Sequence, residues 1–228
     1  MRVQRILQCF TAAVLGSLSV AVAVAQKEAI PNALKPPPPV VDPTTPPARM
    51  FHDSRYDIAF QVPAGWNVTT RDGDVSTFRL DARTALKTTR LRAVANMSFN
   101  PFPASTFSGA LFYASVTPGI TAEQCRGQAT QPAVGARNGG NQSNAVTTEQ
   151  VAGAAFDHGH DEHGGICIES HDEVYTALRK NGCYRFDLVL NNFCGGDVSG
   201  VKDMTAKELD AVRKRLEAIL ATVHLDGK

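Results

Sequence analysis

Apolar and polar residues alternate regularly where the folded region of the chain is expected to begin. Every second position is apolar at Tyr56, Ile58, Phe60 and Val62. This two-residue period predicts a β-strand with one buried face. Residues 63–66, Pro-Ala-Gly-Trp, then predict a turn, after which residues 66–68 continue in extended form. We expect Trp66 to be a core anchor rather than a platform for a ligand.

Shorter apolar stretches predict further strands at residues 77–80, 91–99 and 111–116. One face of the second of these strands is expected to carry Leu91, Ala93, Ala95 and Met97. Thr121 predicts the N-cap of a short helix that extends through Arg126, with Glu123 near its positive end. Residues 137–144 are rich in Gly and Asn and predict a mobile loop.

A long hairpin is predicted near the end of the chain. Residues 166–178 and 183–193 are typical of strands, and Arg-Lys-Asn-Gly joins them at residues 179–182. The Asn-Gly pair favours a tight turn because both residue types tolerate positive φ. The second strand has an apolar face that must be buried, which consists of Tyr184, Phe186, Leu188 and Leu190.

The last predicted element is an amphipathic helix. Thr205 and Glu208 have the spacing of a capping box. Apolar residues then recur at steps of three and four, at Leu209, Val212, Leu216, Ile219, Leu220 and Val223. The elements together predict an α+β fold, in which an antiparallel β-sheet is flanked by helices and the C-terminal helix packs its apolar stripe on the sheet.

The N-terminus has the features of a signal peptide, residues 1–25. Two arginines precede a stretch of apolar and small residues, and Ala23-Val24-Ala25 predicts cleavage before Gln26. The alternative is an uncleaved membrane anchor, but the stretch is rich in Ala, Ser and Thr rather than in Leu and Ile. Cys9 lies near the start of this stretch, which excludes a lipoprotein signal.

Residues 26–50 predict a disordered, proline-rich spacer, because proline lacks a backbone donor and cannot join the interior of a sheet. A ligand for an SH3-like domain is the alternative, but no such partner is expected in a bacterial periplasm. The folded domain is predicted to span residues 51–228.

Charge and composition limit the compartment and the partners. The chain of 228 residues has 23 basic and 22 acidic residues, and loss of Arg2 and Arg5 with the signal changes the formal charge from +1 to −1. Such a balance does not favour nucleic acid as a partner. No later segment is apolar enough to span a membrane. The mature protein is therefore predicted to be periplasmic or extracellular, with an Ala-rich signal of bacterial type.

Four cysteines remain after removal of the signal, and an even number in an exported chain predicts two disulfides among three possible pairings. If Leu178 pairs with Cys183 across the hairpin turn, Cys167 lies opposite Cys194, at a separation near that of a disulfide. Cys183 then points to the other face of the sheet, where it can meet Cys125 on the short helix. The predicted pairs are Cys167–Cys194 and Cys125–Cys183.

One segment has an unusual composition: Asp157 to His163 reads Asp-His-Gly-His-Asp-Glu-His, and His171 follows. The default interpretation is a polar loop that leads into the hairpin. The alternative is a site for Zn, Cu or Ni, because imidazole and carboxylate suit these ions. The predicted ligands are His158, His160, His163 and His171, although their spacing matches no defined zinc signature. Incidental weak metal binding is the third possibility.

Sequence patterns of enzymes are missing. The chain has no Gly-x-Ser-x-Gly, no Walker loop and no Gly-x-Gly-x-x-Gly. Asp172 and Glu173 are adjacent on a predicted strand, so they face opposite ways and do not suit a mechanism with two carboxylates. We therefore predict no catalytic residue, no resident cofactor and no enzymatic activity.

Two segments resemble PsbP-like domains. They are the opening strand and turn, Tyr56-Asp-Ile-Ala-Phe60 and Val62-Pro-Ala-Gly-Trp66, and the aromatic hairpin strand Gly182-Cys-Tyr-Arg-Phe186. The family includes the photosystem II extrinsic subunit, Ran-binding Mog-type proteins and exported bacterial proteins. The resemblance implies an antiparallel sheet flanked by helices, but no common catalytic site, so no functional residue is transferred.

The sequence thus predicts an exported, non-enzymatic PsbP-like domain that acts as a binding or structural module. Its expected partner is an unidentified envelope or extracellular protein. The alternative function is that of a periplasmic protein that binds a divalent metal through residues 157–171.

Overall fold

The computed structural model describes residues 41–71, 90–130, 143–165, 167–180, 182–193 and 200–225. They belong to the compact unit Pro39–Lys228. The described elements, in chain order, are β1 (Arg49–Asp53), β2 (Ile58–Val62), β3 (Trp66–Thr69), β4 (Leu91–Met97), β5 (Phe107–Pro118), α1 (Ala122–Gln128), β6 (Ser143–Val151), β7 (Ala154–Gly165), β8 (Ile168–Arg179), β9 (Gly182–Phe193), α2 (Ala206–Leu220) and β10 (His224–Leu225).

Two antiparallel sheets contain these strands. The larger sheet has the order β3-β4-β5-β9-β8-β7-β6, and the smaller sheet has the order β1-β2-β10. Among the described strands β6 forms one edge of the larger sheet, and its register with β7 shifts between Ser143 and Thr147. Together with the two helices, the sheets confirm the predicted α+β class with antiparallel strands.

The first face of the larger sheet, here called the helix face, packs against α2. The predicted apolar face of β9 is buried there, since Tyr184, Phe186, Leu188 and Leu190 all join the main core. The same core contains the buried α2 residues Val212, Leu216, Ile219 and Leu220. Thr205 and Glu208 form the predicted capping box at the start of this helix. Trp66 also lies in this core, as expected of an anchor.

The second face of the larger sheet, here called the opposite face, lies beneath α1. A disulfide between Cys125 and Cys183 joins this helix to β9, with the two Cα atoms 5.3 Å apart. Arg185 also donates from Nη1 to the carbonyl oxygen of Gln128, over 2.9 Å. At the end of the helix, the backbone of Ala129 lies so close to Gly159 that a Cβ at Gly159 would be 2.0 Å from the Ala129 oxygen.

The hairpin has the predicted register. Leu178 pairs with Cys183, and the ladder continues without interruption to Ile168 opposite Phe193. The Cys125–Cys183 disulfide that was predicted from this register is confirmed. The pairing of Cys167 with Cys194 stays a prediction, because Cys194 lies outside the described residues.

Several strand and loop predictions need correction. The segment 157–163 is not a loop, because it is the central part of β7 and pairs with β6 and β8 on its two sides. Ser143 and Asn144, predicted to lie in a mobile loop, already belong to β6. Leu91 leaves the face of Ala93, because a register shift between them turns Leu91 toward the small core on the opposite face.

Other sequence predictions fall largely outside the described part of the chain. The strand predicted at 77–80, most of the loop at 137–144, the signal peptide and residues 26–40 of the spacer lie there. The last spacer residues contact the folded domain: Asp42 pairs with Arg215 on α2 at 2.8 Å, and β1 begins at Arg49. Within the described ranges, no helix has the length and apolar character needed to cross a membrane.

Candidate functional site

Three of the predicted metal-ligating histidines lie on the helix face, on strands β7 and β8. The register places His158 opposite Tyr175, His160 opposite Glu173 and Glu162 opposite His171. The side chains of His158, His160 and His171 therefore share one face with those of glutamates from β6, β7 and β8. We call this set the histidine–glutamate row; its members are Glu149, His158, Glu173, His160, Glu162 and His171.

Imidazoles and carboxylates alternate along the row. His158 is held between Glu149 and Glu173, with Nδ1–Oε1 at 2.7 Å and Nε2–Oε2 at 2.8 Å. The other oxygen of Glu173 lies 3.0 Å from Nδ1 of His160. Glu162 Oε1 then lies 3.2 Å from Nε2 of His160 and 3.1 Å from Nδ1 of His171. Each carboxylate between two histidines is therefore shared by both of them.

The geometry at His158 is that of a protonated imidazole. Only the charged ring has a proton on both nitrogens, so only this form can donate to Glu149 and Glu173 at once. Burial alone would lower the pKa of His158, but the hydrogen bonds and charges of Glu173 and Glu149 outweigh burial and raise it. The ring also stacks on Tyr175, with centroids 4.3 Å apart, which further favours a cationic ring.

The same contacts act on the carboxylates in the opposite direction. Burial would raise the pKa of Glu173, but the hydrogen bond from His158 and the charges of His160, His158 and Arg213 lower it. In Glu162, burial is likewise outweighed by His171 and His160, and the pKa is lowered. The row is thus a chain of ion pairs whose strength depends on protonation of the histidines.

We expect the row to make the stability of the protein depend on pH. Because the pKa of His158 is raised on folding, its contribution is fully present below its unfolded value of 6.5 and is lost as the pH rises through the folded value. One proton can contribute a slope of at most about 1.4 kcal/mol per pH unit. Urea unfolding of the wild type between about pH 6 and about pH 8.5 should show the decline, and His158→Gln should reduce its slope.

His52→Gln is the matched control for this experiment, because His52 is an exposed histidine on β1 in the other sheet. This variant should keep the slope of the wild type. An equal slope in His158→Gln and the wild type would show that His158 does not bind a proton on folding.

A cleft adjoins the row beside α2. It has about 20 Å³ of free volume, which is room for about one water molecule. Its apolar surface consists of Leu188, Leu190, Leu209 and Leu216, and its polar rim consists of His171, Glu173 and Arg213. Nε of Arg213 lies 3.6 Å from Oε1 of Glu173, which links the rim to the row. The site thus combines an apolar floor with a charged border.

The opposite face of the same strands carries a second polar cluster, which is buried. Asp172 and Asp187 are fully buried, and Arg185 donates to Asp187 from Nε at 2.8 Å. Burial, followed by the charge of Asp187, raises the pKa of Asp172, and the charge of Arg185 offsets this only in part. The pKa of Asp172 is therefore raised, whereas the pKa of its neighbour Glu173 is lowered. Glu173 lies on the helix face, and the sequence predicts that adjacent residues of a strand face opposite ways.

The geometry does not assemble the histidines as metal ligands. Both ring nitrogens of His158 and of His160 are directed at glutamate oxygens rather than at a common point. Among the side chains that the structure describes, no group of three or more His, Cys, Asp or Glu is arranged to hold a metal ion. The side chain of His163 lies outside them, so metal binding by the four histidines stays a prediction.

Sequence reasoning missed most of this site. It found the histidines and the segment that contains Glu162, but it did not pair them with Glu149, Glu162 or Glu173, and it did not find Arg213 in the cleft. The available signal was the close spacing of Glu and His across the two strands: once β7 and β8 are paired, Glu162 faces His171 and His160 faces Glu173. This signal becomes readable only when the segment 157–163 is recognised as a strand.

The structure is an α+β domain with an antiparallel sheet and a surface cleft. Two solved structures have a similar fold. The structure is similar to the solution structure of cyanobacterial PsbP (CyanoP) from Synechocystis, with a TM-score of 0.47, 12% identity, and coverage of 78% of this chain and 92% of that chain. It is also similar to a crystal structure from Bacteroides thetaiotaomicron, with a TM-score of 0.40, 10% identity, and coverage of 75% of this chain and 46% of that chain.

No family model and no curated protein matches the sequence.

Proposed function

We propose that the protein is an exported, non-enzymatic PsbP-like module that binds an envelope or extracellular protein through the cleft beside α2. The observation that carries this proposal is the cleft itself, with four leucines below a rim of Arg213, Glu173 and His171. An apolar centre with a polar border is the usual anatomy of a recognition site. With about 20 Å³ of free volume the cleft is shallow, so the partner is expected to lie across the leucines and the rim rather than to insert a ligand.

Two further observations support parts of the proposal. Export is supported by the signal-like sequence that ends at Ala25 and by the Cys125–Cys183 disulfide, since disulfides persist in oxidising compartments. A binding role, rather than catalysis, is supported by the row, where the carboxylates of Glu173 and Glu162 are already engaged by imidazoles. The carboxylates of Glu173 and Glu162 are therefore positioned to contact charged groups of a partner.

The test is capture of a native partner with and without a change in the cleft. Immobilised wild type, Leu209→Gln and Lys207→Gln are incubated with envelope extract, and bound proteins are identified by mass spectrometry. Leu209 lies in the cleft, whereas Lys207 is exposed on the same helix, so both changes introduce the same residue into α2.

A partner that binds in the cleft should be retained by the wild type and by Lys207→Gln. Its recovery should fall about tenfold with Leu209→Gln, which corresponds to a loss of about 1.4 kcal/mol in binding free energy. Thermal unfolding of each variant verifies that all three are folded. Equal recovery by all three proteins, or specific recovery by none, would refute the cleft as the binding site.

A further inference from the structure

Turns and strand ends that are distant in sequence meet at one end of the larger sheet, here called the turn end. It consists of residues 53–57, 90–92, 116–118 and 178–180. Nζ of Lys180, at the end of the hairpin strand β8, lies 3.7 Å from Oδ2 of Asp57, between β1 and β2. The hydroxyl of Tyr184 donates to the carbonyl oxygen of Tyr56 over 2.9 Å. The carbonyl oxygen of Arg90, just before β4, accepts from a backbone amide near the end of β5.

Three arginines at the turn end are held in place by uncharged groups. Arg90 donates from Nη1 to the hydroxyl of Thr117 over 3.1 Å. Arg179 donates from Nη1 and Nη2 to two backbone carbonyl oxygens, over 3.0 and 3.4 Å. The guanidinium of Arg55 lies over the ring of Tyr56, 5.3 Å from its centroid. Within the described ranges no carboxylate forms an ion pair with these arginines, so their positions are fixed but their charges are not neutralised.

The acidic groups of the turn end are fewer than the basic ones. Asp53 is buried and pairs with Arg92, and Asp57 pairs with Lys180. The start of α1, which follows β5, adds the exposed Glu123. The five basic side chains therefore outnumber the three carboxylates, and the excess lies on the three arginines that have no ion pair. This excess does not involve the histidines of the row.

The spacing of the arginines favours a plane of anions over a single small ligand. Arg90 is anchored on β5 and Arg179 on β7, and β9 and β8 lie between these two strands. Three strand spacings correspond to about 14 Å. Two guanidinium groups at this separation do not share one phosphate, whereas a bilayer surface offers a separate phosphate to each.

The turn end lacks the apolar centre that a protein partner would require. Among the residues that the structure describes, large apolar side chains are strongly exposed only at Val41 and Met50, and neither belongs to the turn end. A protein interface usually has an apolar core inside its polar rim. Adsorption to an anionic bilayer requires only basic residues near its surface. The composition of the turn end therefore favours a lipid surface.

We propose that the turn end adsorbs to the surface of an anionic phospholipid bilayer, with Arg55, Arg90 and Arg179 facing lipid phosphates. Guanidinium groups suit this role because they bind phosphate with two parallel hydrogen bonds. The proposal does not depend on the cleft, since Leu190 in the cleft is about 26 Å along β9 from Gly182 at the turn end of that strand. Adsorption in this orientation holds the cleft away from the bilayer and open to an envelope protein.

Sedimentation with vesicles tests this proposal. The full-length mature protein is mixed with vesicles of phosphatidylglycerol and phosphatidylcholine, or of phosphatidylcholine alone, at about 50 mM and about 500 mM salt. One double variant carries Arg55→Gln and Arg90→Gln, which are changes at exposed positions. The matched control carries Lys202→Gln and Lys207→Gln. It removes the same charge from the other end of the sheet, where Lys202 pairs with Ser105 just before β5.

The wild type should bind the anionic vesicles at the lower salt concentration, dissociate at the higher one and leave phosphatidylcholine vesicles unbound. The arginine-to-glutamine double variant should lose about 30-fold in partition coefficient, because each basic residue at an anionic surface contributes about fivefold. Replacement of Arg55 and Arg90 by lysine should preserve most of the binding, because lysine keeps the charge. The double variant of Lys202 and Lys207 should bind like the wild type.

The contrary results are equally definite. Absence of binding to anionic vesicles, or equal binding to neutral vesicles, overturns adsorption by charge. Equal losses in the two glutamine double variants overturn the turn end as the contact surface. An acidic protein that is captured from envelope extract through Arg55 and Arg90, while vesicles stay unbound, replaces the lipid by a protein. Leu209→Gln should bind vesicles like the wild type, so failure of the cleft as a binding site is distinguishable from failure of this inference.

Discussion

Replacement of Cys125 and Cys183 together by alanine is expected to lower the free energy of unfolding by about 4 kcal/mol. The disulfide closes a loop with a sequence separation of 58, and such a cross-link restricts the unfolded chain strongly. Alanine is the suitable replacement because both cysteines are buried, at 2% and 0% exposure, and serine would introduce hydroxyl groups there. Urea unfolding under non-reducing conditions measures the difference.

The reduced wild type provides a comparison in which the sequence is unchanged. It should lose at least a similar free energy, and the loss on reduction should be smaller in the double variant, which has no Cys125–Cys183 bond to reduce. Stability of the double variant within about 1 kcal/mol of the oxidised wild type would contradict the role assigned to this disulfide.

The second large effect is expected from Gly159→Ala. The added Cβ would lie 2.0 Å from the carbonyl oxygen of Ala129 and 2.8 Å from its carbonyl carbon. Both neighbours are backbone atoms, so no side chain can rotate away, and either α1 or β7 must move. We expect a loss of about 3 kcal/mol, at the upper end for overpacking of a well-packed site.

Gly127→Ala is the matched control for this experiment, because the same methyl group is added to α1 itself at a position with nothing within 4 Å. Alanine favours helix, so this variant should be unchanged or more stable by up to about 1 kcal/mol. Thermal and urea unfolding of both variants give the comparison. Equal stability of Gly159→Ala and the wild type would show that α1 does not lie closely on β7.

The hairpin and the last helix were predictable because local signals agree with the tertiary structure. The Asn-Gly turn determined the register, and the register placed Cys183 on the face of Cys125. Similarly, the apolar stripe of α2 identified Val212 and Leu216 as core residues. In each case, the apolar positions of one periodic pattern coincide with the single buried face of the element. Sequence periodicity is informative under this condition.

Strand β7 was not predictable on the same grounds. Both of its faces are polar from residue 157 onward, since His158 and His160 lie on the helix face while Asp161 lies on the face of the buried Asp172. The apolar alternation that reveals a half-buried strand is therefore missing, and Gly159 further weakens the strand signal. Arg213 was not predictable either, because a basic residue on an amphipathic helix is usually solvated, and only packing shows that it borders a cleft.

Strand β6 has a consequence for the behaviour of the protein at high concentration. An edge strand presents unpaired backbone groups, and a second copy of the chain can extend the sheet there and begin a fibrous aggregate. Here the edge contains the irregular pairing after Ser143, and its sequence is Ser-Asn-Ala-Val-Thr-Thr-Glu-Gln-Val, with the charge of Glu149 in the row. An irregular, polar edge with a charge is a poor template for such growth. We therefore expect Glu149, which pairs with His158 in the row, also to disfavour growth of the sheet at this edge.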